Sequence, residues 1–174
     1  MIQRIQTCVL DCFLYKPEAH YDDRGFVMEI YNESKYTEKP PSQINWSYSI
    51  RDVIRGLHIS PYPKLVTCVQ GSIYDVCLDV RVNSLTYGQY CACSLDDMNK
   101  FQLLIPAYCA HGFYSYIDSI VLYCQGGTYS RQERGIHYTS FDIKWPSPNC
   151  QEYCLSEKDK EAPIENRVVP DTSH

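Results

Sequence analysis

The run Gln43-Ile44-Asn45-Trp46-Ser47-Tyr48-Ser49-Ile50 alternates between polar and apolar or aromatic side chains. Successive side chains of a β-strand point to opposite faces of the sheet, so this period of two predicts a strand with one polar and one apolar face. In a β-barrel, a polar inner face makes a hydrated interior that can hold a ligand. The run therefore predicts a β-protein with a polar cavity.

The rest of the chain carries similar signals. Short apolar or alternating runs of roughly four to eight residues are separated by turn residues about every ten positions, which predicts an all-β sandwich or barrel. The 16 tyrosines and the many β-branched residues agree with this class. The predicted strands are residues 7–14, 26–31, 43–50, 53–59, 64–69, 72–80, 90–94, 101–105, 110–114 and 120–125.

Two local patterns predict how neighbouring segments connect. Residues 64–69 and 72–80 flank Gln70-Gly71, a two-residue connection that predicts a β-hairpin. Residues 32–36 are expected to form a short helix before a proline-containing break.

The C-terminal part differs in character from the strand-rich part. Ser156-Glu157-Lys158-Asp159 has the form of a helix N-cap followed by an acidic first turn. We expect a single domain over residues 1–174, ending in a loose polar tail over about residues 165–174.

Composition narrows the functional classes. The formal net charge of −5 argues against a nucleic-acid-binding surface. No apolar run approaches the length of a membrane span, and the N-terminus lacks the basic and apolar segments of a signal peptide. We therefore expect a cytoplasmic protein with neither a nucleic acid nor a membrane as partner.

The ten cysteines do not form a recognisable motif. No Cys-x-x-Cys pair occurs, and several cysteines lie in apolar strand patterns, where a reducing compartment keeps them as small buried hydrophobic residues. Cys150 and Cys154 would reach one metal ion only on a helix, and no partnering histidine lies nearby in the sequence. We therefore expect neither a disulfide scaffold nor a zinc site.

Catalytic chemistry is suggested by Arg55-Gly56-Leu57-His58, which is followed closely by Lys64. Each cation disfavours protonation of a nearby imidazole, and a neutral imidazole is a base. A structural core histidine with two surface cations would give the same pattern, so this cluster alone assigns no function.

A series of further motifs follows one another along the chain, and they are Asp22-Asp23-Arg24-Gly25-Phe26, Gln43-x-Asn45-x-Ser47, Arg55-Gly56-Leu57-His58, Lys64-Leu65-Val66, Gly71-x-x-x-Asp75-Val76, Asp79-x-Arg81, Ala110-His111-Gly112-Phe113, Leu122-Tyr123, Glu133-x-Gly135-Ile136, Ile143-x-Trp145-Pro146 and Leu155-Ser156-x-Lys158-Asp159. In these motifs and their order, the sequence resembles the dTDP-4-dehydrorhamnose 3,5-epimerase family over nearly all of residues 7–160. The family implies an all-β, cupin-type β-barrel jelly roll with a short C-terminal helical segment, which forms a homodimer by exchanging N-terminal strands.

The resemblance implies inversion of carbons 3 and 5 beside the 4-ketone of a nucleotide-diphospho-4-keto-6-deoxy sugar, without a cofactor. A proton leaves one face of the sugar, an enolate forms, and a proton arrives on the other face. Such a reaction needs a base, an acid and a partner for the enolate oxygen.

The same resemblance implies roles for individual residues. His58 matches the general base, Asp159 the carboxylate that orients it, Tyr123 the proton donor and Lys64 the cation beside the enolate. Without the resemblance, Asp159 would be taken for a first-turn helix acid and Tyr123 for a core tyrosine. Substrate-binding positions are implied for Arg24, Glu29, Gln43, Asn45, Ser47, Arg55, His111, Tyr129, Glu133 and Lys158.

No metal is expected in this site. Many cupins bind a metal through a His-x-His pair, but here Ile59-Ser60 follows His58. Proton abstraction beside a ketone also needs no redox metal.

Departures from the family pattern leave the substrate open. Only residues 59–63 separate His58 from Lys64, several residues fewer than in the rhamnose-pathway enzymes. In having such a short loop, the sequence resembles relatives that act on other nucleotide-linked 4-keto sugars, including heptoses. The alternatives are epimerisation at carbon 3 or carbon 5 alone, or ketoisomerisation, on a UDP- or GDP-linked sugar. A cupin that binds a sugar nucleotide without catalysis is a further alternative.

Overall fold

The computed structural model describes residues 2–36, 41–130 and 133–166. Within these ranges the chain forms thirteen β-strands, one 3-10 turn (Ser140–Asp142) and one short helix, α1 (Glu157–Lys160). The strands are β1 (Gln3–Gln6), β2 (Phe13–Lys16), β3 (Ala19–Asp22), β4 (Gly25–Met28), β5 (Gln43–Ser49), β6 (Ile54–Ile59), β7 (Lys64–Gln70), β8 (Ser72–Leu78), β9 (Tyr90–Asp96), β10 (Gln102–Ile105), β11 (Ala110–Ser115), β12 (Ser119–Gln125) and β13 (Arg134–Gly135).

Eleven of the strands form two antiparallel sheets that enclose the core. One sheet has the strand order β1-β2-β10-β7-β12-β5, and the other has the order β13-β6-β11-β8-β9. Strands β3 and β4 pair only with each other in the described part of the chain. The predicted all-β fold with a short C-terminal helical segment is confirmed.

The alternation of side chains divides the five-stranded sheet into two faces. Ile73 and Phe113 on its inner face pack against Val66 and Leu103 of the six-stranded sheet. On the outer face, Leu57, Val76 and Ala110 pack against Ile136, Phe141 and Ile143 from the C-terminal segment, as a second apolar cluster. The C-terminal segment is therefore part of the packed domain.

The predicted hairpin between residues 64–69 and 72–80 is wrong. Strand β7 pairs with β10 and β12, whereas β8 pairs with β9 and β11. The chain instead crosses from one sheet to the other at Gly71, whose φ of +86° suits glycine. A two-residue connection fixes the distance between strand ends but leaves the pairing partners to the packing of the two sheets.

Two further local predictions are wrong. Residues 7–14 do not form one strand, because a turn between β1 and β2 is closed by a 3.1 Å hydrogen bond from the Thr7 amide to the Cys12 carbonyl. Residues 32–36 form a turn in which the amides of Lys35 and Tyr36 both donate to the Asn32 carbonyl. In both cases backbone hydrogen bonds within a turn replace the regular element that the sequence suggested, a strand in the first case and a helix in the second.

The C-terminal segment is tied to the start of β6 by Asp52. Its buried carboxylate accepts hydrogen bonds from the amides of Asn149 (2.9 Å) and Cys150 (3.1 Å). The Cys154 amide donates to the Asp52 carbonyl at 2.9 Å. These bonds place α1 beside β6. The predicted N-cap of α1 by Ser156 is confirmed, because the Asp159 amide donates a 3.2 Å hydrogen bond to the Ser156 hydroxyl.

The predicted loose tail does not begin at residue 165. The Glu165 carbonyl accepts a 3.1 Å hydrogen bond from the Phe141 amide, and the Glu165 side chain forms an ion pair with Arg134. These bonds hold Glu165 against the second apolar cluster. Residues 167–174, the rest of the predicted tail, lie outside the described residues.

Gly56 and Gly112 allow β6 and β11 to approach closely at a β-bulge. A Cβ atom on Gly56 would lie 2.6 Å from the Gly112 Cα, and the Gly56 φ is +125°. The register resulting from this approach sets His58 opposite His111. Both glycines are therefore needed to bring the two imidazoles to adjacent positions on the inner face.

Gly56→Ala is expected to lower the free energy of unfolding by about 1 to 3 kcal/mol more than Gly25→Ala, because only the former creates a backbone clash. Gly25 is a matched control: its φ is +128°, but an added Cβ would meet no atom within 4 Å. Urea unfolding of the two variants measures the difference. Equal losses of stability would show that the close approach is not a constraint.

Candidate active site

The polar side chains of β5 line a cavity of about 320 Å³ between the two sheets. The apolar and aromatic side chains on the other face of β5 are exposed to solvent. The expectation of a polar interior is therefore confirmed. Ten of the predicted residues line this cavity: Gln43, Asn45, Ser47, Arg55, His58, Lys64, His111, Tyr123, Tyr129 and Glu133.

A second chamber of about 450 Å³ adjoins the first and shares four of its lining residues: Arg55, His58, Tyr129 and Glu133. Its other wall is the C-terminal segment, which contributes Lys158 and Asp159. His58 thus lies at the junction of the two chambers, where a bound molecule would pass from one into the other.

His58 and Asp159 are hydrogen-bonded, with His58 Nε2 2.8 Å from Asp159 Oδ1. Burial raises the pKa of the Asp159 carboxyl, but hydrogen bonds from His58 and Ser156 and the charge of His58 outweigh burial, and the net effect lowers this pKa. An ionised Asp159 accepts a hydrogen bond from Nε2–H of a neutral imidazole, and Nδ1 of His58 is then the basic nitrogen.

Tyr123 lies on β12 of the six-stranded sheet and lines the first chamber. Its hydroxyl lies 3.2 Å from Ser47 Oγ, and its ring contacts those of His111 and Phe113. Burial raises the pKa of Tyr123 well above its ordinary value. The phenol therefore stays protonated at neutral pH and remains available as a hydrogen-bond or proton donor.

Lys64 lies at the start of β7 with its side chain only 12% exposed. Its Nζ is 3.9 Å from Glu133 Oε2, and Glu133 also accepts hydrogen bonds from Ser60 (2.7 Å) and Tyr62. Burial lowers the pKa of Lys64, and the charge of Glu133 partly offsets this effect. The ammonium group is therefore poorly hydrated, which strengthens its interaction with a negative oxygen nearby.

Arg55 reaches both chambers with its side chain fixed at two points. Nε donates to Ser49 Oγ at 2.8 Å, and a terminal nitrogen donates to the Tyr48 carbonyl at 2.9 Å. Tyr129, at the rim, is held by a 2.9 Å hydrogen bond from its amide to Gln43 Oε1.

The structure does not bring Arg24 and Glu29 to this cavity within one chain. Arg24 lies at the turn between β3 and β4, largely exposed and bonded to Asp22. Glu29 forms an ion pair with Lys35 in a separate small pocket near the N-terminus. The other twelve predicted site residues line one of the two chambers.

Three polar residues of the site were not predicted. His111 Nε2 lies 2.8 Å from Oδ1 of the fully buried Asp75, which forms a second histidine–carboxylate pair. Gln125 accepts a 3.1 Å hydrogen bond from Asn45, and Tyr62 reaches Glu133 from the short loop. Only Asp75 carried a sequence signal, the spacing Gly71-x-x-x-Asp75, because the other two contacts depend on strand pairing and loop positions that join residues distant in the sequence.

The profile of the dTDP-4-dehydrorhamnose 3,5-epimerase family matches residues 6–166. The chain belongs to this family. A dTDP-4-dehydrorhamnose 3,5-epimerase of Shigella flexneri is 38% identical over 168 residues, which cover 89% of this chain and 91% of the relative. A dTDP-4-dehydrorhamnose 3-epimerase of Streptomyces niveus is 35% identical over 144 residues, 75% of this chain and 70% of the relative.

The fold of this epimerase matches solved structures of the family. The crystal structure of dTDP-6-deoxy-D-glucose-3,5-epimerase from Legionella pneumophila, in complex with dTDP-4-keto-L-rhamnose, superposes with a TM-score of 0.88. Sequence identity is 31%, and the match covers 94% of this chain and 93% of that one. The cupin-type fold expected from the sequence is thereby confirmed, and the protein is a carbohydrate epimerase. No helix in the described ranges is long and apolar enough to cross a membrane.

Proposed function

We propose that this epimerase inverts carbons 3 and 5 of a dTDP-linked 4-keto-6-deoxy sugar by proton abstraction, with His58 as the base. The observation that carries the proposal is the 2.8 Å contact between His58 and Asp159 at the junction of the two chambers. The Legionella relative binds dTDP-4-keto-L-rhamnose, which supports a dTDP-sugar as the ligand. We also infer a cytoplasmic location.

In the proposed reaction, His58 removes the proton from a carbon next to the 4-ketone. The carbon–hydrogen electron pair moves into the enolate, and the new positive charge on the imidazole is stabilised by Asp159. Lys64 supplies the positive charge beside the enolate oxygen. Proton loss next to a ketone needs no change of oxidation state, so we propose no cofactor for this reaction.

Tyr123 returns a proton to the opposite face of the sugar. Its raised pKa makes it a weak acid, but the carbon of an enolate is a strong base, so transfer from the phenol is favourable. The proposal places Tyr123 and His58 on opposite sides of the sugar ring, which inversion requires. His111, held by Asp75, lines the sugar site beside Tyr123.

The remaining cavity residues are proposed to bind the nucleotide and the diphosphate. A guanidinium fork matches the geometry of phosphate oxygens, which fits Arg55 at the boundary of both chambers. Lys158 adds a second cation to the outer chamber. Gln43, Asn45, Ser47, Tyr129 and Glu133 are proposed as polar contacts around the substrate.

Proton NMR in deuterium oxide tests the reaction directly. With dTDP-4-keto-6-deoxyglucose, we expect the enzyme to remove the signals of both the carbon-3 and carbon-5 protons, because each passes through an exchangeable enolate. Boiled enzyme is the control. Absence of exchange with dTDP-, UDP- and GDP-linked 4-keto sugars, heptoses included, would contradict the proposal.

A reaction at carbon 3 alone is the second candidate. It is favoured by the Streptomyces niveus relative, a 3-epimerase that is 35% identical to this chain. Both reactions use the same first enolate, so the same base and cation serve each. Loss of the carbon-3 signal with retention of the carbon-5 signal in the NMR experiment would establish this candidate in place of the first.

We further propose that the epimerase is a homodimer with exchanged N-terminal strands. The outer face of the edge strand β5 exposes Ile44 (63%), Trp46 (70%) and Tyr48 (53%) to solvent, an apolar surface next to an open sheet edge. The β3–β4 hairpin would cross to the partner subunit. Exchange would bring Arg24 and Glu29 to the partner's cavity, where the nucleotide diphosphate is expected.

Complementation tests the exchange. Arg24→Ala and His58→Ala are each expected to impair turnover, but a co-expressed pair should recover about a quarter of wild-type activity, because half of random dimers then contain one intact site of two. As a control, His58→Ala paired with Lys64→Gln should recover nothing, since these residues lie in the same chain's site. Failure of the first pair to exceed the control would contradict strand exchange.

A further inference from the structure

Three thiols far apart in the sequence converge beside the inner core. The sulfur atoms of Cys12, Cys77 and Cys91 all lie within 4.8 Å of one another. Cys12 Sγ and Cys91 Sγ are 3.5 Å apart, and Cys12 and Cys77 are fully buried. The epimerase reaction uses none of these residues, and ordinary core packing does not require three sulfurs at one point.

The backbone holds each sulfur from a different element. Cys77 on β8 and Cys91 on β9 are directly opposite in the antiparallel register. Cys12 is positioned by the turn between β1 and β2, where its carbonyl accepts from the Thr7 hydroxyl at 2.9 Å and its amide donates to the Val9 carbonyl at 3.1 Å. The three positions are therefore fixed before any ligand arrives.

We propose that Cys12, Cys77 and Cys91 bind one thiophilic d¹⁰ metal ion, of the class of Zn(II) and Cu(I), as a trigonal thiolate site. Metal–sulfur bonds of about 2.3 Å in a trigonal arrangement set the sulfurs about 4 Å apart, close to the spacing present here. Each thiol that coordinates releases its proton to solvent. Soft thiolate ligands select these ions over magnesium, calcium or manganese.

The cluster lies close to the protein surface on the side of Cys91, which is only partly buried. Cys8 is exposed on the same turn as Cys12, and its thiol donates to the Tyr90 carbonyl, next to Cys91, at 3.3 Å. The proposed site therefore has an exposed thiol beside its least buried ligand.

The proposed metal site is separate from His58 and Asp159, but it lies on the same β-sheet as His58. In the strand registers, His58 is opposite His111, His111 is opposite Cys77, and Cys77 is opposite Cys91. The metal would thus lie at the far end of a row of inner-face residues that begins at His58. Because Cys77 neighbours His111, activity is a poor readout for the metal, and binding must be measured directly.

The test is metal retention by the full chain, reduced and handled without oxygen. Zn(II), or Cu(I) in a separate experiment, is added with a competing chelator, and the metal retained after desalting is counted per chain. We expect one equivalent with wild-type protein. Cys91→Ala should weaken binding by at least about tenfold. Cys93→Ala, two residues along the same strand and outside the cluster, is the matched control and should bind as the wild type does.

Two further measurements keep the result unambiguous. X-ray absorption of the loaded protein should show about three sulfur ligands near 2.3 Å, which exposed single cysteines would not give. The metal should raise the unfolding midpoint of wild-type and Cys93→Ala proteins, and that of Cys91→Ala protein much less. Equal retention by the Cys91→Ala and wild-type proteins, or no retention of either ion by the folded wild-type protein, would overturn the proposal.

Discussion

His58→Ala is expected to lower the turnover number by about 100-fold to 10,000-fold, the range typical for loss of a general base. The imidazole lies at the junction of both chambers and is paired with a carboxylate. Without it, Asp159 has no imidazole to orient, and the proposed base for the carbon next to the ketone is lost. Exchange of the carbon-3 proton in deuterium oxide measures the effect on the chemical step itself.

Binding should survive this substitution. The contacts proposed for the nucleotide come from other residues, so the dissociation constant for dTDP should change little. His137→Ala is a suitable control because, among the described residues, its ring hydrogen-bonds to neighbouring Thr139, packs against Tyr138 and lies outside both chambers. Exchange in His58→Ala protein within about threefold of wild type would remove His58 as the base.

Lys64→Gln is expected to lower the turnover number by about 100-fold to 1,000-fold. The side chain that carries the ammonium is largely buried, and burial strengthens the attraction of this charge for a developing enolate oxygen. Glutamine keeps a hydrogen-bond donor of similar length but loses the charge. The turnover number should therefore fall more than the affinity for substrate, because the charge acts mainly on the enolate.

Two controls separate this role from a structural one. Lys160→Gln removes a largely exposed lysine that pairs with Glu157, and it should leave turnover unchanged. The unfolding midpoint of Lys64→Gln protein shows whether loss of the partner for Glu133 destabilises the domain. A fall in affinity for substrate with an unchanged turnover number would place Lys64 in ground-state binding and contradict an enolate role.

Sequence resemblance located most of the candidate site, but it could not locate all of it. It placed His58, Lys64 and Tyr123 because each belongs to a family motif on a strand that the side-chain pattern of the sequence predicts. The contacts of Tyr62 with Glu133, and of Gln125 with Asn45, join residues separated by 71 and 80 positions. Such pairs have no local signature, since they form only when β5 pairs with β12 in one sheet and when the loop before β7 meets the segment before β13.

The same limit explains the wrong hairpin and the missed thiol cluster. Gln70-Gly71 predicts a reversal of the chain, but both flanking strands are apolar enough to pair with several others. Cys12, Cys77 and Cys91 lie in three unrelated stretches, without the short spacing that marks most metal sites. Their meeting depends on the position of one turn against the edge of the five-stranded sheet.

The sequence by itself determined the fold class, the polar face of β5 and the position of most strands, because side-chain alternation is a local property of the chain. It also determined the cap of α1, where Ser156 and Asp159 are three residues apart. The resemblance implied that Asp159 orients His58, but only the tertiary structure decided the geometry of that contact across 101 positions and the meeting of three thiols at one point. The first depends on how α1 packs beside β6, and the second on the pairing of β8 with β9 and on the turn between β1 and β2, none of which a short stretch of sequence encodes.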